Sequence, residues 1–208
     1  MVQPFIAVDG SHSATLLDHC LLVDRQIDQD FEIVDKCKIR ASVLGVEKDL
    51  FSAINNCLEL QSFRGFVTRK LHLMLHGRAG ALRFAGQWFD LAALIACKSE
   101  IKSWGLDEIV LWSCYAGVEN EFLRSFSEVS GGRVFSANTW LGRQDGAEKL
   151  SVGGYELSTL VDLDSIKERF VLSEENCLPN AISHVTYRLK AADDEIFYYF
   201  KIIIYLNT

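Results

Sequence analysis

Apolar and polar positions alternate with different periods along the chain, and the changes of period mark out strands and helices. Phe5–Val8 is a short apolar run closed by Asp9-Gly10, which predicts a first strand and turn. Cys20–Val23 and Phe31–Val34 could each be strands, and Ser42–Leu44 predicts another. Leu50, Phe51, Ile54, Cys57 and Leu58 then recur at helical spacing, giving an amphipathic helix of roughly three turns. Lys70–Leu75 reads as a strand with Leu71, Leu73 and Leu75 on one face, running into His76-Gly77. A hairpin or loop follows around Leu82–Phe84 and Gln87–Phe89. Asp90 is placed to cap a helix over 91–104, with Leu91, Leu94, Ile95, Ile101 and Trp104 as its apolar stripe and Gly105 as its left-handed stop. Ile109–Trp112 is continuously apolar, as a strand buried on both faces should be, and ends at Ser113-Cys114. Val118, Phe122, Phe126 and Val129 predict the next helix face, closed by Gly131-Gly132, and Arg133–Ala137 the next strand. The polar, glycine-bearing stretch 138–154 reads as a long loop. In the tail, 184–190 and 195–206 are β-rich runs around Ala191–Asp194 and predict an antiparallel hairpin.

Strands alternating with helices favour a largely parallel sheet covered on both faces, that is, an α/β fold. Length and composition agree: 208 residues, 49% hydrophobic, suffice for one large domain with a real core. The net charge of −7 without a Lys/Arg block argues against nucleic acid, because phosphate contacts need clustered cations. Six cysteines, at 20, 37, 57, 97, 114 and 177, form no C-x-x-C pair and have no histidine at zinc-finger spacing. No metal or other cofactor is therefore expected, and free thiols in a reducing compartment are the plainer reading. Met1–Gly10 does not read as a signal peptide, and the apolar run 196–206 is too short to span a bilayer. The expectation is a cytoplasmic protein that does not engage membranes.

Two apolar strands end in residues with complementary chemistry, His76 and Cys114. Between them lies room for one hairpin and one crossover helix. If the strands are parallel neighbours, both side chains emerge at the carboxyl edge of the sheet, where ligands of open α/β sheets bind. A thiol is a weak nucleophile until a base takes its proton, and an imidazole can do so and later protonate a leaving amine. Gly77 leaves its N–H accessible, and with the Cys114 N–H it could form an oxyanion hole. Either half alone is usually a packing residue. The pair, in this order, with glycine after the histidine and a helix pattern between, points to catalysis. His72, on the same alternating face as His76, reads as a packing histidine, and His12 and His19 as surface groups. Cys20, Cys37, Cys57 and Cys97 read as core or half-buried thiols, and Trp88, Trp104 and Trp112 as core aromatics.

The blocks Leu-His-Gly-Arg-Ala-Gly-Ala-Leu-Arg-Phe (75–84) and Leu-Trp-Ser-Cys-Tyr-Ala-Gly (111–117) resemble the His-Gly and Cys motifs of caspase-like cysteine peptidases. That group includes caspases, separase, gingipains and bacterial CHAT domains. The closest likeness is to a CHAT-related bacterial domain of uncharacterised function, often near the N-termini of large surface or adhesin-like proteins. Its Gly-Gly-Asp-Trp-x-Leu-like element is echoed by Gly153-Gly154-Tyr155-Glu156-Leu157. There are departures: Leu75 stands where serine is usual, and Ser-Cys-Tyr-Ala-Gly replaces Gly-Cys-x-x-Ala.

The resemblance covers about 1–160 and implies a caspase-like three-layer sandwich, with 161–208 as an extension ending in the β-hairpin. It implies His76 as general base, Cys114 as nucleophile and Gly77 as backbone donor. It also implies that the loop after the next strand shapes the substrate pocket. There Asp145 would select Lys or Arg, whereas Arg143 would select an acidic residue, and the sequence does not choose. The expected function is a cysteine endopeptidase, a hydrolase cleaving itself or a partner protein. The alternative is a catalytically silent binding or assembly module, in which the apolar hairpin either packs on its own sheet or forms a homodimer with another copy.

Overall fold

Each apolar run of the central region pairs with a neighbour, and the segments between fold back across the faces. The computed structural model describes residues 16–45, 49–144, 147–166 and 170–171. In chain order these hold β1 (His19–Val23), α1 (Arg25–Phe31), β2 (Arg40–Val43), α2 (Leu50–Phe63), β3 (Lys70–Met74), β4 (His76–Arg78), β5 (Ala81–Phe84) and β6 (Gln87–Phe89). There follow α3 (Leu91–Ala96), α4 (Lys98–Lys102), β7 (Glu108–Trp112), α5 (Asn120–Ser130), β8 (Arg133–Ser136), β9 (Gly142–Gln144), β10 (Ala147–Lys149), β11 (Ser151–Val152), β12 (Tyr155–Glu156), α6 (Leu157–Leu160) and β13 (Phe170–Val171).

The central sheet has the order β2-β1-β3-β7-β8, and all four of its pairings are parallel. Because side chains alternate along a strand, each central strand feeds two cores. On one face Leu22, Leu71, Leu73, Ile109 and Leu111 pack under α2–α5 through Phe51, Ile54, Leu94, Ile101 and Phe126. On the other, Leu21, Val23, Met74, Val110 and Trp112 meet Ile27 of α1, Leu157 and Leu160 of α6, and Leu150 and Val152 from the β10–β11 stretch. The result is the three-layer α/β sandwich expected. Leu163 and Ile166 belong to the second cluster as well.

Several local expectations hold for the reasons given. Asp90 caps α3, its carboxylate accepting from the N–H groups of Ala92 and Ala93. Gly105 and Gly131 take the left-handed conformation at helix ends. Others need correction. Phe31–Val34 is no strand: Asp24 caps α1, accepting from the Gln26 N–H, and the helix runs to Phe31 before Glu32 turns left-handed. Ile27 and Ile33 then reach the second core from a helix and a turn. The helix over 91–104 breaks at Cys97 into α3 and α4, which leaves Ile95 exposed rather than in the stripe. Val118 likewise lies in a 3-10 turn ahead of α5 and is exposed. The stretch 138–154 is not one long loop: within it Gly142–Gln144, Ala147–Lys149 and Ser151–Val152 form the short strands β9–β11. Trp88 is half-buried, with the Arg78 guanidinium over its ring. His19, expected at the surface, is 2% exposed. Phe5–Val8, His12, Asp145, Cys177 and the C-terminal hairpin lie outside the described residues. Among the described residues no helix is long and apolar enough to cross a membrane.

Candidate functional site

The two motif-bearing strands are parallel neighbours, registered Lys70↔Glu108 through Met74↔Trp112. The pairing continues one step further, the Leu75 N–H donating to the Trp112 carbonyl at 3.3 Å. Chain direction then brings His76-Gly77 and Ser113-Cys114 to the same carboxyl rim. The backbones touch there. A Cβ placed on Gly77 would lie 2.7 Å from the Cys114 carbonyl oxygen, 2.7 Å from the Ser113 Cβ and 3.3 Å from the Cys114 nitrogen. Contacts below 3.0 Å are forbidden to a real side chain, so glycine is required for this approach. His76 opens β4, which leaves the main sheet to pair antiparallel with β5, placing Gly77 opposite Leu82 and His76 opposite Arg83.

The thiol and the imidazole differ in access. Cys114 is 0% exposed and belongs to the second core. The N–H of Leu141 donates to its sulfur at 3.1 Å, and the thiol lies 3.7 Å from the Leu141 carbonyl oxygen. Leu141 is carried over the sulfur by the strap 137–141. That strap is held by Gly117 N–H to the Ala137 carbonyl at 2.8 Å and Tyr115 N–H to the Thr139 carbonyl at 2.9 Å. Lys149 secures it further, its ammonium 3.0 Å from the Thr139 hydroxyl and 5.2 Å from the Trp140 ring centre. Tyr115, directly after the thiol, has φ +58°, a left-handed conformation that costs an ordinary residue about 1–2 kcal/mol. Backbone strain of this kind collects at functional sites.

His76, at 8% exposure, instead lines a cleft of about 340 Å³ together with Asp24, Arg25, Arg83 and the Ala85-Gly86 turn. Of the pocket residues expected in the later loop, Arg143 forms an ion pair with Glu148 at 2.7 Å across the β9–β10 ladder. Its charge is thus matched within its own hairpin.

The sequence reading missed a buried polar chain beneath the rim. Trp112 Nε1–H donates to His72 Nδ1 at 3.2 Å. Indole is only a donor, so His72 carries its proton on Nε2 and donates to His19 Nδ1 at 2.8 Å. His19 Nε2 then lies 3.9 Å from the Asp18 carboxylate. Burial, with smaller contributions from His19 and Lys70, pushes the His72 pKa down to about 3. Nearby, Glu108 takes hydrogen bonds from Tyr155 and Arg133. Burial works to raise its pKa, but these partners and Lys70 outweigh it and hold the carboxyl below its usual range. His72 is the packing residue expected; His19 was legible only through its place on the strand that pairs with β3.

Asp49, Cys97 and Glu100 bring ligand atoms within 4.8 Å of one another. Asp49, however, accepts from the Ser52 N–H as the cap of α2, and burial raises the Cys97 thiol and keeps it protonated. Burial likewise pushes the Cys20 and Cys37 thiols up to about 12.

Comparison with known families matches a domain of unknown function, DUF4347, over residues 20–165, well over half of the chain, and the chain belongs to that family. Comparison with curated proteins and with solved structures gives no match.

Proposed function

We propose that this member of the DUF4347 family is a latent cysteine endopeptidase. The observation that carries the reading is the close approach of Gly77 to the Cys114 backbone at the rim where two parallel strands end. In the proposed reaction Cys114 gives its proton to His76 and its sulfur bonds to the scissile carbonyl carbon. The C–N bond breaks as His76 protonates the departing amine, and water hydrolyses the thioester. The N–H groups of Gly77 and Cys114 stabilise the oxyanion, a contribution of about 10²–10³ in rate for each donor. A sulfur at 0% exposure meets no substrate, so the strap over it must lift before turnover.

A thiol-reactive peptide electrophile tests this, with modification followed at each cysteine by mass spectrometry. Cys114 is expected to react ahead of the half-buried Cys37, Cys57 and Cys97, and His76→Ala is expected to suppress that reaction. Even labelling of those three half-buried thiols with none at Cys114, or a Cys114 rate indifferent to His76→Ala, overturns the reading.

The burial of Cys114 favours a second reading, a silent module that keeps the fold as a binding or assembly unit. Light scattering of the full chain against a truncation before His184 checks its dimer form. A monomer in both cases removes it.

A further inference from the structure

We infer that the buried His19–His72 pair is an acid-sensitive latch: when it takes up a proton, the β11–β12 hairpin lifts and loosens the strap over Cys114. The latch governs access to the sulfur whether or not Cys114 is a nucleophile; only its use as a control of turnover rests on the peptidase reading.

The pair has no room for another proton. Trp112 can only donate, so it fixes the tautomer of His72, and His72 in turn fixes that of His19. A proton added to His72 would face the Trp112 N–H, and one added to His19 would face the His72 N–H. The surrounding groups do not relieve this. Asp18 lies 3.9 Å from His19 Nε2, the nitrogen that already carries a proton. Lys70, on the same strand as His72, adds positive charge. Glu108 of β7 is engaged by Tyr155 of β12 and Arg133 of β8. Against burial, these partners and Lys70 hold Glu108 below its usual range, so its bond to Tyr155 is not what mild acid breaks. Burial is the largest cause depressing both histidines.

Tyr155 is what covers the pair. Its ring stands edge-on to both imidazoles, 5.2 Å from His72 and 6.0 Å from His19, centre to centre. From Tyr155 a short run of bonds leads to the sulfur. The Leu157 N–H donates to the Leu150 carbonyl at 2.8 Å, which ties the hairpin to the end of β10. Lys149, the residue before Leu150, is paired with Gly142 on β9 and bonded to the Thr139 hydroxyl. Gly142 follows Leu141, whose N–H donates to the Cys114 sulfur. Displacing Tyr155 therefore loosens the strap through contiguous contacts. In an open form where His72 meets water, its pKa returns from about 3 to its ordinary 6.5. Acid then favours that form by about twentyfold between pH 7 and pH 5 through His72 alone.

The experiment uses the full chain and dithiodipyridine, which labels thiols in mild acid as well as at neutral pH, with the modified cysteine identified by mass spectrometry. Cys20 is the internal control, since it is as buried as Cys114 but lies on the face covered by α2–α5. Each rate is divided by that of the urea-unfolded chain at the same pH. The normalised Cys114 rate is expected to rise about twentyfold from pH 7 to pH 5 and to exceed the Cys20 rate throughout. In His72→Phe the rise should disappear. Tyr155→Phe, which cuts the bond to Glu108, should raise the Cys114 rate about tenfold at pH 7. Equal normalised rates at the two cysteines would show the whole domain unfolding, which overturns the latch. A flat profile, a rise retained in His72→Phe, or a Tyr155→Phe rate equal to that of the unaltered chain does the same. The profile of the unaltered chain and Tyr155→Phe decide the matter even if His72→Phe does not fold. A Cys114 that opens with acid yet ignores the peptide electrophile sinks the peptidase reading alone. One that takes the electrophile at a rate indifferent to His72→Phe and Tyr155→Phe sinks the latch alone.

Discussion

The two faces of the central sheet are built from different material. Under α2–α5 lies a large cluster of apolar side chains, with aromatic rings meeting edge to face: Phe51 lies 5.9 Å from Phe89 and 6.4 Å from Phe126, centre to centre. The opposite face mixes apolar side chains with His19, His72, the Glu108 carboxylate and the Cys114 thiol, under two short helices and small hairpins. The first face holds the sheet together. The second carries the groups that can titrate or react, and it keeps them by satisfying each with a specific partner. Polar groups without such partners would cost too much to bury, so chemistry and ladder-like packing are concentrated on the same side.

The largest expected effect belongs to the apolar face. Phe51→Ala removes a ring at 1% exposure from contact with Phe89, Trp104 and Phe126, and should cost about 3–5 kcal/mol in urea denaturation. A loss below about 1 kcal/mol would mean that this core is not the main support.

Acid distinguishes the faces next. His72 accepts from Trp112 on one nitrogen and donates to His19 from the other, so a second proton would set N–H against N–H. Burial, then His19 and Lys70, depress its pKa to about 3 from 6.5. His19 is shifted the same way by burial and Lys70, against the pull of Asp18 and Glu108. Below pH 6.5 the unfolded chain therefore binds more protons than the folded one. Stability is full above that value and falls as the pH drops towards 3. The loss from His72 alone should reach about 2 kcal/mol between pH 7 and pH 5. His72→Phe should start less stable at pH 7 yet lose less on acidification. Parallel urea curves for the two proteins across this range would refute the assignment.

The same contrast explains what the sequence could tell. The helical face was legible because Leu50, Phe51, Ile54 and Phe122, Phe126, Val129 repeat at helical spacing, and the strands beneath are continuous apolar runs. His76 and Cys114 were legible as strand ends, since parallel pairing alone brings them to one rim. The strap over the sulfur was not. The three residues of β10 are all exposed, and two- or three-residue strands leave too few alternations to register as a period. His19 was misread because a histidine flanked by Asp18 and Cys20 gives no sign of a partner on another strand. The cleft arises from the β2-β1-β3 order, which no local pattern encodes.

The smallest effect concerns strain at the rim itself. Ala85 and Tyr115 both hold a left-handed backbone, at φ +48° and +58°. Ala85 is exposed in a two-residue turn with Gly86, where positive φ is demanded of both residues. Ala85→Gly removes a steric cost without removing a contact, and should stabilise the fold by about 0.5–1 kcal/mol after the entropy of the freer unfolded chain is deducted. Tyr115→Gly relieves the same conformation but strips a half-buried ring from the second core, worth about 1–2 kcal/mol. It should therefore gain nothing in a urea midpoint. If Tyr115→Gly stabilised the protein as much as Ala85→Gly, the ring would not be what holds the turn after the thiol. If it stabilised less but also raised the labelling rate of Cys114, the ring and the strap would be one closure, because Tyr115 N–H is bonded to the Thr139 carbonyl of that strap.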